Sequence, residues 1–268
     1  MPVRAVLFDL DNTLLHEDAA TLAAVRATSE RAAERIGGDP SAIASAAARV
    51  AEELFRSSPV FPYADEMGIW WGEALWGGFA GDAPGLRALR AFVPAFRLAV
   101  WTTVLGSSDA PLAEELASLF IAARRSEWAI DPGTKPTLDT LGARYRLALV
   151  TNGAPDVQRE KIAATGVAPN FAAIVISAEL GIGKPDRRIF DAALDAIGAS
   201  ARDAVMVGDS IERDVVGAHA AGLRTVWLDR DGAARDASSR PDLRIAELGE
   251  LPAALAAIED LAPTAQCT

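Results

Sequence analysis

The sequence predicts an α/β protein built on a doubly wound parallel sheet, with an α-helical domain inserted into it. Three observations predict this. Short runs rich in Val, Ile and Leu, bounded by Gly, Asp or Asn, recur at Arg4–Leu10, Leu147–Thr151, Ala173–Ser177, Ala204–Gly208 and Arg224–Leu228. Helix-like stretches separate the last four runs, and such alternation belongs to a parallel sheet covered on both faces. More than 130 residues part the first run from the second, and apolar residues there recur at three and four instead.

The first run lies within VLFDLDNTLL (Val6–Leu15) and is apolar until Asp9 and Asp11. On a strand, residues two apart point the same way, so two carboxylates share a face and need compensation. From roughly residue 16 to 130 the pattern is helical. Leu22, Val25, Ala32 and Ile36 mark one helix, and Ile43, Ala46, Ala47, Val50, Ala51, Leu54 and Phe55 a second. Leu112, Leu116, Leu119 and Phe120 mark another, after a break at Ser107-Ser108-Asp109. The sheet resumes near Asp131, where Pro132-Gly133 is a turn signal. Helical stretches at Pro155–Thr165, Arg187–Ile197 and Glu212–Ala221 then alternate with the later strands. Residues 229–242 read as a polar loop. The expected organisation is a core of residues 1–15 and 131–262, a helical domain of 16–130 and a frayed tail of 263–268.

Composition bounds the partners. The chain has 268 residues, half of them hydrophobic, enough for one or two domains with real cores. Its net charge of −11 argues against binding nucleic-acid backbones or anionic membrane surfaces. The single cysteine, Cys267, leaves no intramolecular disulfide. The apolar stretch near the N-terminus is too short for a membrane span and is broken by acids. A cytoplasmic protein, monomer or homodimer, is expected.

Four short segments carry chemistry: Asp9-Leu10-Asp11-Asn12-Thr13, Val150-Thr151-Asn152-Gly153, Gly183-Lys184-Pro185-Asp186, and Gly208-Asp209-Ser210 followed by Asp214. In a doubly wound sheet, ligands sit beyond the carboxyl ends of the strands, so the segments that end strands meet at one edge. Several carboxylates gathered around one lysine need a cation, and Mg²⁺ suits a few carboxylates with waters and a phosphate. Lys184, Thr151, Asn152 and loop N–H groups form an anion site opposite the metal. A metal beside an anion cradle serves phosphoryl transfer, where charge stabilisation and positioning dominate. A carboxylate can attack phosphorus, and a second can move the protons. Gly183-Lys184 is not a phosphate-binding P-loop, because Pro185 stands where that motif needs Ser or Thr.

These segments, with the long stretches ISAELGIGKPD and GDSIERDVVGAHAAGL, resemble the four motifs of the haloacid dehalogenase superfamily. The resemblance is to its phosphatases with a helical cap inserted after the first motif, and it covers about residues 3–15 and 131–262. It implies a Rossmann-like core and a Mg²⁺-dependent phosphatase working through an aspartyl-phosphate. The expected substrate is a small phosphorylated metabolite, of the sugar phosphate or nucleoside monophosphate type. By resemblance, Asp9 is the nucleophile and a Mg²⁺ ligand. Asp11 is the general acid/base, with its main-chain carbonyl on the metal. Thr151 and Asn152 hold the phosphoryl group, Lys184 neutralises Asp9 and the phosphoryl oxygens, Asp209 completes the metal site, and Asp214 supports it. Arg187-Arg188 departs from the family pattern after GKPD and reads best as a solvated helix start.

Other chemistries on the same fold have less support. C–halogen hydrolysis needs neither a metal nor an acid for an alkoxide leaving group, so Asp11 argues against it. A phosphonate hydrolase would, by resemblance, need a cap lysine, and residues 16–130 contain none. A phosphomutase differs only in excluding water. A non-enzymatic binding protein would have no use for the intact set of carboxylates. Trp70, Trp71 and Trp76 read as core, with a substrate-facing surface as the alternative.

Overall fold

A computed structural model describes residues 2–106, 109–126, 128, 130–230, 232 and 241–260. Ser107 and Ser108, most of the loop after Arg230, Cys267 and the tail lie outside the described residues. Contacts divide the chain into two compact units, Met1–Leu15, Ile130–Asn152 and Thr165–Thr268 in one, His16–Ala129 and Gly153–Ala164 in the other.

The first unit is built on a six-stranded, all-parallel sheet: β1 (Ala5–Phe8), β2 (Arg146–Thr151), β3 (Ala173–Ile176), β4 (Ala204–Gly208), β5 (Arg224–Leu228) and β6 (Leu243–Ile245), in the order β3-β2-β1-β4-β5-β6. Five of these are the apolar runs of the sequence. The sixth was not expected: it has three residues with Arg244 at its centre, so no run marks it. β1 is buried throughout and lies between β2 and β4, with Ala5 level with Arg146 on one side and Ala204 on the other. The chain winds outward from β1 to β3, then crosses back to β4. The order therefore reverses beside β1, and the switch point falls where Asp9 follows the strand. On one face of the sheet Leu7, Val150 and Met206 pack with Ile189, Phe190 and Leu194 in a buried core.

The helices in chain order are α1 (Glu17–Ile36), α2 (Pro40–Arg56), α3 (Phe61–Met67), α4 (Trp71–Ala74), α5 (Pro84–Leu105), α6 (Ala110–Ser126), α7 (Thr134–Gly142), α8 (Pro155–Thr165), α9 (Ser177–Leu180), α10 (Arg187–Ile197), α11 (Gly217–Ala220) and α12 (Leu251–Asp260). The first six form the second unit, in which α1 packs on α2 and α6, and α5 on the same two. Asp39 caps α2 through Ser41 N and Ala42 N, with Pro40 in the first turn. Val50, Ala51 and Phe55 of α2 are buried as the periodicity predicts. On α1 the buried stripe is Ala20, Thr21, Ala24, Val25, Thr28 and Ala32. Leu22 and Ile36, expected in it, are 53% and 48% exposed: at 100° per residue Leu22 sits at the edge of the stripe, beyond Val25, and Ile36 is the last helical residue. By length and composition alone, α5 is apolar enough to cross a membrane. Its Leu86, Leu89, Val93, Phe96, Val100 and Trp101 are buried within this unit.

Residues 153–164 were expected in the core domain but group with the helical unit. The reason is ionic. The buried Lys161 ammonium on α8 lies 2.7 Å from Glu73 Oε1 and 3.3 Å from Glu17 Oε2. Arg124 of α6, also buried, pairs with Glu17 and lies over the Trp76 and Trp128 rings. Two cations and two carboxylates thus hold α1, α4, α6 and α8 together inside one unit. Removing one member leaves a buried charge uncompensated. Lys161→Met should therefore lower the unfolding free energy by about 3–5 kcal/mol. Arg49→Ala, which deletes the exposed pair with Glu53, should change it little. Urea denaturation of both variants measures the contrast.

Candidate active site

All the residues expected to carry chemistry lie in the sheet unit, at or just beyond the carboxyl ends of strands or in the loop before α10. Asp9 and Asp11 follow β1, Thr151 ends β2, and Asn152 follows it. Lys184 precedes α10. Asp209 follows β4, and Asp214 sits in the π-helical turn Ile211–Val216. Such turns re-aim a side chain by one extra residue and cluster at functional sites.

The centre of the arrangement is Lys184. Its buried ammonium donates to Asp9 Oδ1 at 2.6 Å and to Asp214 Oδ1 at 2.7 Å. The remaining carboxylate oxygens are also held. Thr13 Oγ1 donates to Asp9 Oδ2 at 3.2 Å, and Ser210 N donates to Asp214 Oδ2 at 3.0 Å. Asn152 fixes the lysine's own backbone, donating from Nδ2 to Lys184 O at 2.9 Å and accepting from Lys184 N at 2.8 Å. Two glycines make the approach possible. A Cβ at Gly208 would overlap the Asp214 carboxylate, and one at Gly217 would stand 2.8 Å from Pro185 Cα. Thr151 is fully buried and its hydroxyl lies 3.4 Å from Asn152 O. Asp11 is half-buried in the turn after β1, where its backbone bridges to Leu15.

Charge in this cluster is unbalanced. Burial raises the Asp9 carboxyl most; Lys184 pulls it back, Asp214 and Asp11 push it up again, and the result is about 7. Burial, then Asp9 and Asp214, push Asp209 up to about 8. Burial works against the Lys184 ammonium, but Asp214 and Asp9 outweigh it and hold its pKa above the ordinary value. A cation would balance such carboxylates. Asp9, Asp209 and Asp214 each offer a carboxylate oxygen, all within 4.8 Å of one another. An all-oxygen donor set of this kind fits a hard divalent ion, Mg²⁺ among them. Asp214, expected in support, is one of these three.

Several residues around the site escaped sequence reasoning. Thr13 is in the quoted motif, but nothing in the spacing assigns its hydroxyl to Asp9. Trp227 of β5 donates from Nε1 to Asp209 O at 2.8 Å. Arg244 of β6 lies over the Trp227 ring at 5.2 Å and pairs with Asp229. Arg230, inside the expected polar loop, reaches back to the turn after Asp11. Arg187 and Arg188 are exposed and pair with Asp191 at 3.1 Å and Asp186 at 2.7 Å, so they behave as a solvated helix start.

The sheet order, the switch point and this carboxylate–lysine cluster define a phosphotransfer-type hydrolase on a Rossmann-like core. The sequence pattern of the haloacid dehalogenase-like hydrolases matches residues 3–222, and the chain belongs to that family. It is 41% identical over 252 residues to a phosphoserine phosphatase of Thermus thermophilus, a match covering 93% of this chain and 98% of that protein. It is 37% identical over 163 residues to the N-acylneuraminate-9-phosphatase of Rattus norvegicus, covering 60% of this chain and 66% of the relative. Among solved structures it resembles the HAD-hydrolase YfnB of Bacillus subtilis bound to magnesium, with TM-score 0.66, 23% identity and coverage of 95% and 99%. That likeness concerns the fold alone. A 2-haloacid dehalogenase of Pseudomonas syringae pv. Tomato aligns with TM-score 0.58 and 29% identity, covering 96% of this chain and 99% of that one. Within the family the chain is a phosphoric monoester hydrolase.

Two predictions follow from the geometry. Gly208→Ala should displace the Asp214 carboxylate and with it the lysine, and cut kcat by about 10²-fold, the scale of an ångström of misplacement. Steady-state phosphate release by the folded variant measures it. The second concerns pH. Carboxyls raised above their unfolded values bind protons more tightly in the folded state. The stability they contribute is full below about pH 4 and is lost as pH rises through about 7 to 8. A divalent cation bound to the ionised forms would offset that loss. The rise in Tm on adding Mg²⁺ should therefore grow between pH 5 and pH 8 (roughly the titration window), as calorimetry in matched buffers would record.

Proposed function

We propose that this protein is a Mg²⁺-dependent phosphatase that hydrolyses a small phosphorylated metabolite through an aspartyl-phosphate on Asp9. One observation carries the reading: a buried lysine held between Asp9 and Asp214, with Asp209 in the same cluster. Asp9, Asp209, the main-chain carbonyl of Asp11 and, directly or through water, Asp214 would hold the metal. When bound, Mg²⁺ supplies positive charge to the phosphoryl oxygens.

The chain's own residues do the rest. Asp9 attacks phosphorus, forming an O–P bond as the bond to the leaving oxygen breaks, and Asp11 gives that oxygen a proton. Water then attacks the same phosphorus, Asp11 takes its proton, and Asp9 is freed as phosphate leaves. Thr13 keeps the Asp9 carboxylate in one orientation. Lys184 lowers the repulsion between Asp9 and an incoming dianion. The Thr151 hydroxyl and the N–H groups of the neighbouring loops bind the phosphoryl group. Asn152 contributes through Lys184, whose backbone occupies its amide on both sides.

The core residues recognise only the phosphoryl group, which all phosphomonoesters share. The helical unit is the proposed cap and the source of discrimination between leaving groups. O-phosphoserine is the first candidate substrate, since the phosphoserine phosphatase of Thermus thermophilus matches over nearly the whole chain. N-acylneuraminate 9-phosphate and pyrimidine nucleotides come next, from relatives matched over less of it. The reading includes a cytoplasmic monomer or homodimer without nucleic-acid or membrane partners, and the net charge of −11 supports the last two points. Haloacid dehalogenation is the weaker reading, because it gives Asp11 no proton to deliver.

The test is phosphate release from a panel led by O-phosphoserine, with and without Mg²⁺. Dialysis against EDTA should abolish turnover, Mg²⁺ should restore it, and Ca²⁺, with its looser geometry, should inhibit. Asp9→Asn should be inactive though folded, and Asp11→Asn slower by about 10²–10⁴-fold. Full turnover in EDTA, or in folded Asp9→Asn protein, would sink the mechanism.

A further inference from the structure

The turn that carries Asp11 is held from outside by a residue that no motif contains. After β1 the chain folds sharply: Thr13 N, Leu14 N and Leu15 N all point at Leu10 O, at 3.3, 2.9 and 3.3 Å. Asn12 takes a left-handed conformation with φ of 57°. Asn tolerates that region better than most residues, but it is still a sparsely populated one. A turn with its N–H groups gathered inward presents the Asn12 and Thr13 carbonyls outward. Arg230 takes both. Its Nη1 donates to Asn12 O, and its Nη2 donates to Thr13 O at 2.9 Å and to Asp131 Oδ2 at 2.8 Å.

Asp131 is itself fixed. Its Oδ1 accepts from Gly133 N at 2.7 Å, and its backbone N donates to Leu14 O at 3.1 Å. Thr134 Oγ1 donates to the same Leu14 carbonyl at 2.8 Å. The guanidinium and Asp131 are mostly buried, with side chains 24% and 13% exposed. Arg230 is therefore more than a surface charge in a polar loop. It is a planar fork satisfying two carbonyls and one carboxylate at once, which a point-charge lysine cannot reproduce. Arg230 is also placed from a rigid base, two residues after β5, where Asp229 N donates to Ile245 O of β6 at 2.9 Å.

We propose that Arg230, anchored by Asp131, is a positioning residue for the reaction: it holds the turn that sets the Asp11 carboxyl where it can protonate the leaving oxygen. Arg230 touches neither phosphoryl group nor nucleophile, and its effect passes through the backbone of Asn12 and Thr13. The inference rests on the phosphatase reading, in which Asp11 is the acid. It also explains why the chain returning from the helical unit carries an acid at residue 131: that carboxylate orients the fork.

The experiment compares two leaving groups. p-Nitrophenolate departs without a proton, whereas an alkoxide needs one. Arg230→Gln should slow turnover of a primary alkyl phosphomonoester by about 10²-fold, the lower range of general-acid effects. It should slow the initial burst of p-nitrophenolate in single turnover by less than about tenfold. Arg230→Lys should recover only part of the alkyl ester rate, and Asp131→Asn should shift the same ratio in the same direction by less. If Arg230→Gln fails to fold, these two variants carry the test. Equal loss on both substrates in folded protein would make Arg230 a structural brace only, and unchanged rates would remove it from the mechanism. Either outcome, with Asp9→Asn still inactive, overturns this inference and leaves the phosphatase reading standing. Activity in Asp9→Asn protein would overturn both.

Discussion

The site is organised by one buried ionic triad, the Lys184 ammonium between Asp9 and Asp214. A single cation between two carboxylates must be approached closely, and the surrounding sequence is what permits that. β1 and β4 are neighbours, with Asp9 N bonded to Val207 O at 2.9 Å, so the residues after both strands emerge side by side. Gly208 has no Cβ where Asp214 folds back. Asn152, arriving from β2 on the other side, clasps the lysine's own peptide. Remove any of these and the ammonium loses its geometry before it loses its charge.

Among the described residues two buried ionic groups stand out, and their difference is instructive. In the helical unit, Glu17 and Glu73 face Arg124 and Lys161, two charges against two. Such a set holds helices together. At the sheet edge Asp9, Asp209 and Asp214 share one lysine, with Asp11 close enough to raise Asp9. A surplus of negative charge in a buried place costs stability unless a cation or a proton joins it. The imbalance itself singles out the candidate site, independently of any motif.

Much of this was legible in the sequence, for identifiable reasons. Strands covered on both faces must be apolar end to end, so five of them stood out and their carboxyl ends could be located. Asp9, Asp11, Thr151, Asn152 and Asp209 lie at or just beyond those ends, while Lys184 and Asp214 come later in the loops and turns that follow. What escaped depends on partners distant in the chain. β6 is too short and too polar to form a run. Pro155–Thr165 read correctly as a helix, yet the unit that residues 153–164 join is decided by Lys161 meeting Glu73, 88 positions away. Arg230 lies in a stretch that looks solvated, and its bond to Thr13 spans 217 positions. Periodicity reports which face is buried; it does not report where a long side chain finds its acceptor.

The position of β1 has a consequence for how the molecule is assembled. It is an inner strand, yet its partner β2 is not synthesised until about 140 residues later. Closing a free loop of that length costs about 4 kcal/mol in chain entropy, before any contact is gained. The bridge between Leu15 and Ile130 shows that the two ends of the insertion meet. The folded insertion therefore keeps the chain leaving β1 close to the chain that leads on to β2. That unit, however, receives Lys161 only after β2 has been made. Completing the helical unit therefore depends on a segment that follows β2 in the chain.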